Sequence, residues 1–250
     1  MTLTPFVDPL PTPRILQPVK RECGTTYYEV VMKPTVHQFH SELPPTPAWG
    51  YEGEVPGPTI EARRGETVVV NWINKLPDKH FLPIDHTLHA CHDGMPEVRT
   101  VVHLHGAEVE ADSDGYPEAW YTNDCEQIGP CFKQTTYTYP NNQRATTLWY
   151  HDHAIGITRL NVYAGLAGLY IIRDEQEEAL GLPAGTYEIP LVIQDRSFNE
   201  DGTMFYPSTP LEDPPPDFPN PSVVPGFSGD FITVNGKVWP HLEVEQKKYR

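Results

Sequence analysis

The chain is short of basic residues and of long apolar runs. Its 250 residues include 18 Lys and Arg against 34 Asp and Glu, which gives a formal net charge of −16. Such a chain repels phosphate backbones, so nucleic acid is not expected as a partner. No run of about 18 apolar residues occurs, so neither a transmembrane helix nor a membrane partner is expected.

Cysteine is also scarce, with four residues in the whole chain. So few cysteines do not form a disulfide framework. Only Cys125 and Cys131 lie close together in sequence, and whether they form a bridge is left open. The first ten residues contain Asp8 and two prolines and lack the basic-then-apolar pattern of an export signal. We therefore expect synthesis in the cytoplasm without a signal peptide.

Proline, in contrast, is abundant, with 28 residues. Because proline is disfavoured inside helices and central strands, a Pro-rich chain with many Tyr, Thr and Val residues predicts β-structure with long ordered loops. Short strands separated by turn signals indicate a β-sandwich or barrel, with one helical turn near 157–162 at most. The predicted strands lie at 27–33, on both sides of a turn at Arg64-Gly65, and at 100–105, 135–139, 146–153 and 168–173.

Composition divides the chain into two parts. Residues 1–174 are predicted to form one complete sandwich, and the acidic, then Gly-containing stretch 175–188 is a linker. Residues 189–250 begin a second domain, with a strand from Ile189, a Pro-rich loop over 207–225 and a hairpin that turns at Asn235-Gly236. Because about 60 residues are too few for a second sandwich of ordinary size, this domain is predicted to be incomplete and the chain a fragment.

Two His-x-His pairs stand out, and each ends a predicted strand. They are His103-Leu-His105 and His151-Asp-His153. Side chains at i and i+2 point to the same face of a strand, about 6.6 Å apart along it. Two such pairs on adjacent strands would place four imidazoles around one small volume. All-imidazole ligation suits copper, zinc, iron or nickel, and ligand type alone does not choose among them.

Two other metal sites are conceivable from the sequence: a zinc hydrolase site at the first pair, and a site in the loop that precedes it. Zinc hydrolases that extend the pair to His-x-His-x-Asp-His differ here, because Gly106-Ala-Glu follows the first pair. A loop before that pair carries His86, His89, Cys91 and His92, which could bind a soft metal. Since solvated histidines are common in polar loops, no metal role is predicted for this cluster.

The two pairs and their surroundings resemble the first domain of multicopper oxidases. The resemblance rests on His103-Leu-His105-Gly106, on the segment from Asp112 to Trp120, and on the segment from Leu148 to Tyr170. The longer context, including 56–60 and 193–198, is similar to spore-coat laccases and their bilirubin-oxidase relatives. The resemblance implies an all-β chain: a cupredoxin-like Greek-key sandwich followed by the start of a second cupredoxin-like domain.

In this family the first and third of three domains share a trinuclear copper cluster, where dioxygen is reduced to water. Carried over by matching motif, His103 would bind the type 2 copper, and His105, His151 and His153 would bind the type 3 pair. Asp114 matches an acidic residue near the cluster that assists proton delivery, and is the candidate catalytic residue. A type 1 copper in the third domain takes electrons from the substrate.

The resemblance therefore implies a laccase-type, copper-dependent oxidoreductase. Its partners would be dioxygen and a small phenolic, aromatic or bilirubin-like substrate. No His-Cys-His motif for type 1 copper occurs in the chain, so the isolated chain is predicted to be inactive and to require carboxy-terminal domains that it lacks. The alternatives are a copper-binding structural coat protein without turnover and a zinc hydrolase. Spore-coat resemblance also predicts deposition on a spore surface.

Overall fold

The computed structural model describes residues 2–207 and 227–250, and in these ranges β-strands are the predominant regular secondary structure. Two short α-helices and three 3-10 turns, at 111–113, 123–125 and 185–187, separate thirteen strands within the described ranges. The strands are β1 (Lys20–Glu22), β2 (Thr25–His37), β3 (Thr46–Tyr51), β4 (Gly57–Arg63), β5 (Thr67–Asn74), β6 (Val102–His105), β7 (Thr136–Tyr139), β8 (Thr146–Asp152), β9 (Ala167–Arg173), β10 (Ile193–Phe198), β11 (Met204–Phe205), β12 (Phe231–Val234) and β13 (Lys237–Val238), and the helices are α1 (Thr158–Ala164) and α2 (Glu175–Glu178).

The first nine strands form two sheets that face each other. One sheet has the order β1-β2-β5-β7 with β3 also paired to β2, and the other has the order β4-β9-β8-β6. The pairs β2–β5 and β4–β9 are parallel, and the remaining pairs are antiparallel. The two strands predicted around Arg64-Gly65 are therefore not a hairpin, because β4 and β5 belong to different sheets.

Buried and partly exposed side chains alternate along the strands, and the buried ones form the core between the two sheets. On β5, Val68, Val70 and Trp72 are buried, whereas their neighbours are partly exposed. Tyr150 of β8 lies opposite, and its ring packs against the rings of Trp72 and Tyr51 at centroid distances of 5.3 and 4.8 Å. The inward face of each sheet is thus apolar and aromatic, which leaves the outward face free to carry other side chains.

The helical turn predicted near 157–162 is α1, which connects β8 to β9 and packs against β3 and β8. The expectation of one helical turn at most was too low, because 3-10 turns also occur at 111–113 and 123–125. Helix α1 ends at Gly165, whose φ of 128° is a conformation that other residues rarely adopt. A Cβ atom at this position would lie 2.2 Å from the carbonyl oxygen of Trp49. The helix end therefore requires glycine both for its backbone angle and for the close approach of β3.

Residues after 189 form a separate four-stranded sheet, in the order β11-β10-β12-β13. The predicted hairpin is present, and Asn235 and Gly236 both have positive φ, as its two-residue turn requires. An amino-terminal arm joins both parts: Phe6 N–H donates to the Trp239 carbonyl at 3.0 Å, and Leu16 N–H donates to the Thr59 carbonyl at 2.8 Å. The domain limits at 174 and 189 stay a prediction.

The cysteines, the Pro-rich loop and the helices each bear on an expectation from the sequence. Cys125 and Cys131 are both free thiols, so the bridge that was left open is not formed. The Pro-rich loop predicted over 207–225 lies outside the described residues, apart from Pro207. Among the described helices, none has the length and apolar character needed to span a bilayer.

Candidate metal centre

Strands β6 and β8 are antiparallel neighbours, and their register sets the position of every histidine in the site. His103 lies directly opposite His151, and His105 lies opposite Trp149. His153 follows the end of β8 and its N–H donates to the Val101 carbonyl at 2.7 Å. The intervening residues of both strands point into the core, which places all four imidazoles on the outer face of the sheet.

The four predicted ligands lie close together. The His103 ring centroid is 5.5 Å from that of His105, 5.6 Å from that of His151 and 4.7 Å from that of His153. Ring nitrogens of His103, His105 and His151 all lie within 4.8 Å of one another. His153 falls outside that tightest group, although its ring is stacked on His103. The structure thus brings the four side chains together, while their individual copper roles stay predictions.

Backbone carbonyls hold three of the four rings. His103 Nδ1 contacts the Asp114 carbonyl at 2.5 Å, His151 Nδ1 contacts the carbonyl of the next residue at 2.6 Å, and His153 Nδ1 contacts the Gly115 carbonyl at 2.9 Å. Since a carbonyl only accepts, each Nδ1 carries a proton, and in the neutral ring Nε2 is then the nitrogen with the lone pair. Such bonds fix the tautomer and the plane of a metal-binding imidazole.

His105 and His151 give the clearest test of whether a metal fits. His105 Nδ1 lies 3.2 Å from His151 Nε2. Two imidazole nitrogens bound to one ion at about 2.0–2.1 Å lie about 3.3 Å apart when the bonds meet at the tetrahedral angle. The separation, the all-nitrogen donor set and the free lone pair of His151 therefore suit a first-row transition metal such as copper.

The protonation state of His151 is compatible with the same role. Its side chain is only 4% exposed, and this burial lowers its pKa to about 4, with smaller contributions from the neighbouring histidines. The ring is therefore neutral near pH 7. Metal ligation requires neutral imidazole, so at neutral pH no proton has to leave this ring before it binds an ion.

Asp114 contributes to the centre in a way that the sequence did not predict. Its main-chain carbonyl anchors His103, while its carboxylate Oδ1 lies 3.4 Å from His103 Nδ1 and is 45% exposed. Its predicted role in proton delivery stays a prediction. Gly115 anchors His153, and its φ of 77° together with the 2.0 Å from an added Cβ to the Val102 carbonyl oxygen requires glycine there.

Asp152 lies between two of the histidines but faces the opposite side of β8, as its place in the strand predicts. Its Oδ1 accepts a hydrogen bond from Val101 N–H at 3.1 Å, and its Oδ2 accepts from Ala154 N–H at 3.1 Å and from Asn161 Nδ2 at 2.9 Å. Burial raises its pKa to about 7. The residue joins the end of β8 to the start of β6 and so supports both histidine pairs from behind.

The second histidine-rich segment does not converge. His86 Nδ1 contacts the Cys91 carbonyl at 2.8 Å, and His92 Nδ1 contacts the carbonyl of Asp93. The Cys91 thiol is buried and lies 3.4 Å from the Gly156 carbonyl oxygen. Throughout the described ranges, the strand histidines alone form a group of three or more potential ligands.

Comparison with known proteins identifies the family to which this site belongs. A sequence model described as "Multicopper oxidase" matches residues 34–100 and 95–177, which is more than half of the chain. The chain belongs to the multicopper oxidase family. The resemblance drawn from its histidine motifs is thereby confirmed, and copper is the cofactor that this family implies.

Relatives of this multicopper oxidase chain are named laccases. It is 60% identical to a Bacillus subtilis laccase and 58% identical to a Bacillus stratosphericus laccase, in both cases over 100% of this chain and 49% of the relative. A crystal structure of a Pediococcus acidilactici laccase matches 96% of this chain and 44% of the other, with 28% identity and a TM-score of 0.71. The all-β, cupredoxin-like fold is confirmed. The chain spans about half the length of the curated relatives that it matches.

Proposed function

We propose that this chain supplies the amino-terminal half of the oxygen-reducing copper centre of a laccase-type oxidoreductase. The observation that carries the proposal is the four-imidazole face, with His105 Nδ1 and His151 Nε2 only 3.2 Å apart. Its support is the family of the chain and the name "Laccase" carried by two similar Bacillus relatives. The substrates would be small phenolic, aromatic or bilirubin-like compounds, with dioxygen reduced to water.

Each residue has a separate task in this proposal. Copper, when bound, supplies the one-electron redox chemistry, and His103, His105, His151 and His153 hold it. Neutral imidazoles bind both oxidation states of copper, so the same side chains serve throughout. The carbonyls of Asp114 and Gly115 accept hydrogen bonds from Nδ1 of His103 and His153, which keeps the imidazole proton on the side of each ring away from the ion. Asp114 would pass protons between solvent and the centre in this proposal, and its support is that its carboxylate is half exposed and lies beside His103.

We also assign the type 1 copper site and the remaining ligands of the copper centre to further domains. Type 1 copper in this family uses a His-Cys-His motif, and none occurs among the 250 residues. We therefore propose that electrons enter through a domain outside this sequence, which also supplies the remaining ligands of the centre. The isolated chain should bind copper but should not turn over.

The test is to purify residues 1–250 without metal and to titrate them separately with Cu(II) and Zn(II). Electron paramagnetic resonance should show copper bound to nitrogen ligands, and air oxidation of a phenolic dye should show no steady turnover. Adding the carboxy-terminal half of a Bacillus laccase, to which this chain is 60% identical over the shared part, should restore oxidation. Tight binding of zinc together with no binding of copper would contradict the proposal and favour a zinc hydrolase.

We further propose deposition of the whole protein on a spore surface. The support is the similarity to the Bacillus laccases alone. A fluorescent fusion expressed in a sporulating host should collect around the maturing spore. Uniform fluorescence in the mother cell throughout sporulation would contradict this location.

A further inference from the structure

His105 differs from the other three histidines of the centre in how its ring is held. The others are fixed by backbone carbonyls on Nδ1 and offer Nε2. His105 instead turns Nδ1 towards the centre, and within the described ranges His151 is its one hydrogen-bonding neighbour. Its side chain is also exposed, so no backbone carbonyl fixes the rotation of its ring and the contact with His151 is its one polar restraint within the described ranges.

Trp149 supplies the missing contact. It lies directly opposite His105 in the β6–β8 register and two residues before His151, so all three side chains share the outer face. The Trp149 ring stacks on His105 at 5.3 Å between centroids and 22° between planes. It also stacks on His151 at 4.0 Å and 29°. One flat ring therefore contacts both members of the pair whose nitrogens approach each other.

We propose that Trp149 is a positioning residue, which fixes the planes of His105 and His151 so that their nitrogens face one ion. This inference rests on the proposed copper centre. The terminal torsion of a histidine has a broad preference, so an exposed imidazole turns easily unless something packs on it. Stacking against an indole restricts that turn and keeps water from one side of both rings.

The position of Trp149 makes it suitable for substitution. Its side chain is 37% exposed, so replacing it opens no large cavity in the core. Phe81 is a matched control, because it is 39% exposed and its ring stacks at 5.5 Å and 24° on His80, which lies outside the centre. Loss of stacking on a histidine can therefore be separated from loss of positioning in the centre.

The experiment compares wild type, Trp149→Leu, Trp149→Phe and Phe81→Leu in the 250-residue chain, with Cu(II) binding measured by calorimetry. Trp149→Leu should weaken copper binding about 10-fold, which is the size of effect seen when the outer support of a ligand is removed. Trp149→Phe should keep most of the affinity, and Phe81→Leu should match wild type. Thermal unfolding curves should show that all four chains are folded.

A measurement without metal tests the same inference directly. Nuclear Overhauser effects between the ring protons of His105 and His151 should be present in wild type and in Trp149→Phe, and lost in Trp149→Leu. Wild-type affinity in Trp149→Leu, or an equal loss in Trp149→Phe, would overturn the positioning role. If wild type binds no copper, the proposed function fails, and the ring contacts in the metal-free chain still decide whether Trp149 positions the two imidazoles.

Discussion

The loop between β5 and β6 and the strand pair β6–β8 carry four histidines each, but only the strand pair brings its rings together. In the loop, His80, His86, His89 and His92 occur within thirteen residues of sequence. In the strand pair, two His-x-His motifs are separated by more than forty residues. The number of histidines and their closeness in sequence therefore do not decide where a metal centre forms.

Backbone geometry explains the difference. In the loop, ring nitrogens bond to nearby backbone groups, such as His86 to the Cys91 carbonyl and His92 to the Asp93 carbonyl. In the strands, alternation places every second side chain on one face, and antiparallel pairing sets His103 opposite His151. The carbonyls that hold His103 and His153 come from another segment, and the carbonyl that holds His151 belongs to the next residue of the same strand; in all three rings Nε2 is left to face the centre.

The largest expected difference comes from removing one histidine in each region. His151→Ala should weaken copper binding more than about 100-fold, beyond the ~10–100-fold range of changes to outer hydrogen-bond partners. His89→Ala, in the loop, should leave copper affinity unchanged. Calorimetric titration of both variants checks the comparison. A similar loss in the two variants would mean that copper binds both regions and that convergence of the strand histidines is not what selects the site.

The next effect concerns the glycines of the two regions. Gly115 has a φ of 77° and an added Cβ would lie 2.0 Å from the Val102 carbonyl oxygen, whereas Gly94 has a φ of 94° and open space around it. Gly115→Ala should cost about 1–3 kcal/mol of unfolding free energy through backbone strain. By displacing the carbonyl that holds His153, it should also weaken copper binding about 10-fold.

Gly94→Ala is the matched control for this substitution. It introduces the same unfavourable backbone angle without a clash, so it should cost about 1–2 kcal/mol and leave copper affinity intact. Urea unfolding and copper titration on the same preparations separate the two effects. Equal copper affinities in the two variants would show that the Gly115 carbonyl does not position His153.

The sequence predicted that the four histidines come together because strand periodicity is a local property. The strands β6, β8 and β9 lie where alternation and β-branched residues indicated, and the two pairs converge as expected for adjacent strands. The turn at Asn235-Gly236 was also predicted from local sequence, because both central positions of such a turn need positive φ and only a few residue types adopt it easily. The family resemblance added the metal, which imidazole ligands alone do not specify.

What the sequence did not predict depends on contacts between distant segments. The carbonyls of Asp114 and Gly115 carry no side-chain signal, although the Asp-Gly dipeptide does indicate a turn. Strand β3 (Thr46–Tyr51) was missed because two prolines precede it and a third, Pro47, lies within it. The stacking of Trp149 on two imidazoles follows from the β6–β8 register, which a single sequence does not give.

An effect that depends on pH should come from the one loop histidine that is packed into the fold. His80 accepts a hydrogen bond from Leu82 N–H on Nδ1 and contacts Asn161 Oδ1 through Nε2, and burial lowers its pKa to about 4 from 6.5. Because the unfolded chain binds this proton more readily, the contribution of His80 to stability is complete above pH 6.5 and is lost as the pH falls towards 4. The loss should reach about 3 kcal/mol.

The variant His80→Gln isolates that contribution from other groups that titrate nearby. Glu97 lies close enough to raise the pKa of His80, and Asp152, whose pKa burial raises to about 7, titrates in both chains. The difference in unfolding free energy between wild type and His80→Gln should therefore shrink as the pH falls from 7 to 4. A constant difference over that range would mean that His80 titrates normally in the fold.

The smallest effect should follow from removing a carboxylate beside a histidine in each region. Asp114 Oδ1 lies 3.4 Å from His103 Nδ1 in the centre, and Asp93 Oδ1 lies 4.0 Å from His86 Nδ1 in the loop. Because the Asp114 carboxylate is half exposed, its charge should contribute only ~0.2–1 kcal/mol, less than about fivefold in copper affinity. Asp114→Asn keeps the carbonyl that anchors His103, so copper binding should persist, and Asp93→Asn should change nothing. A loss as large as that of His151→Ala would show that the carboxylate, and not the carbonyl, holds His103 in place.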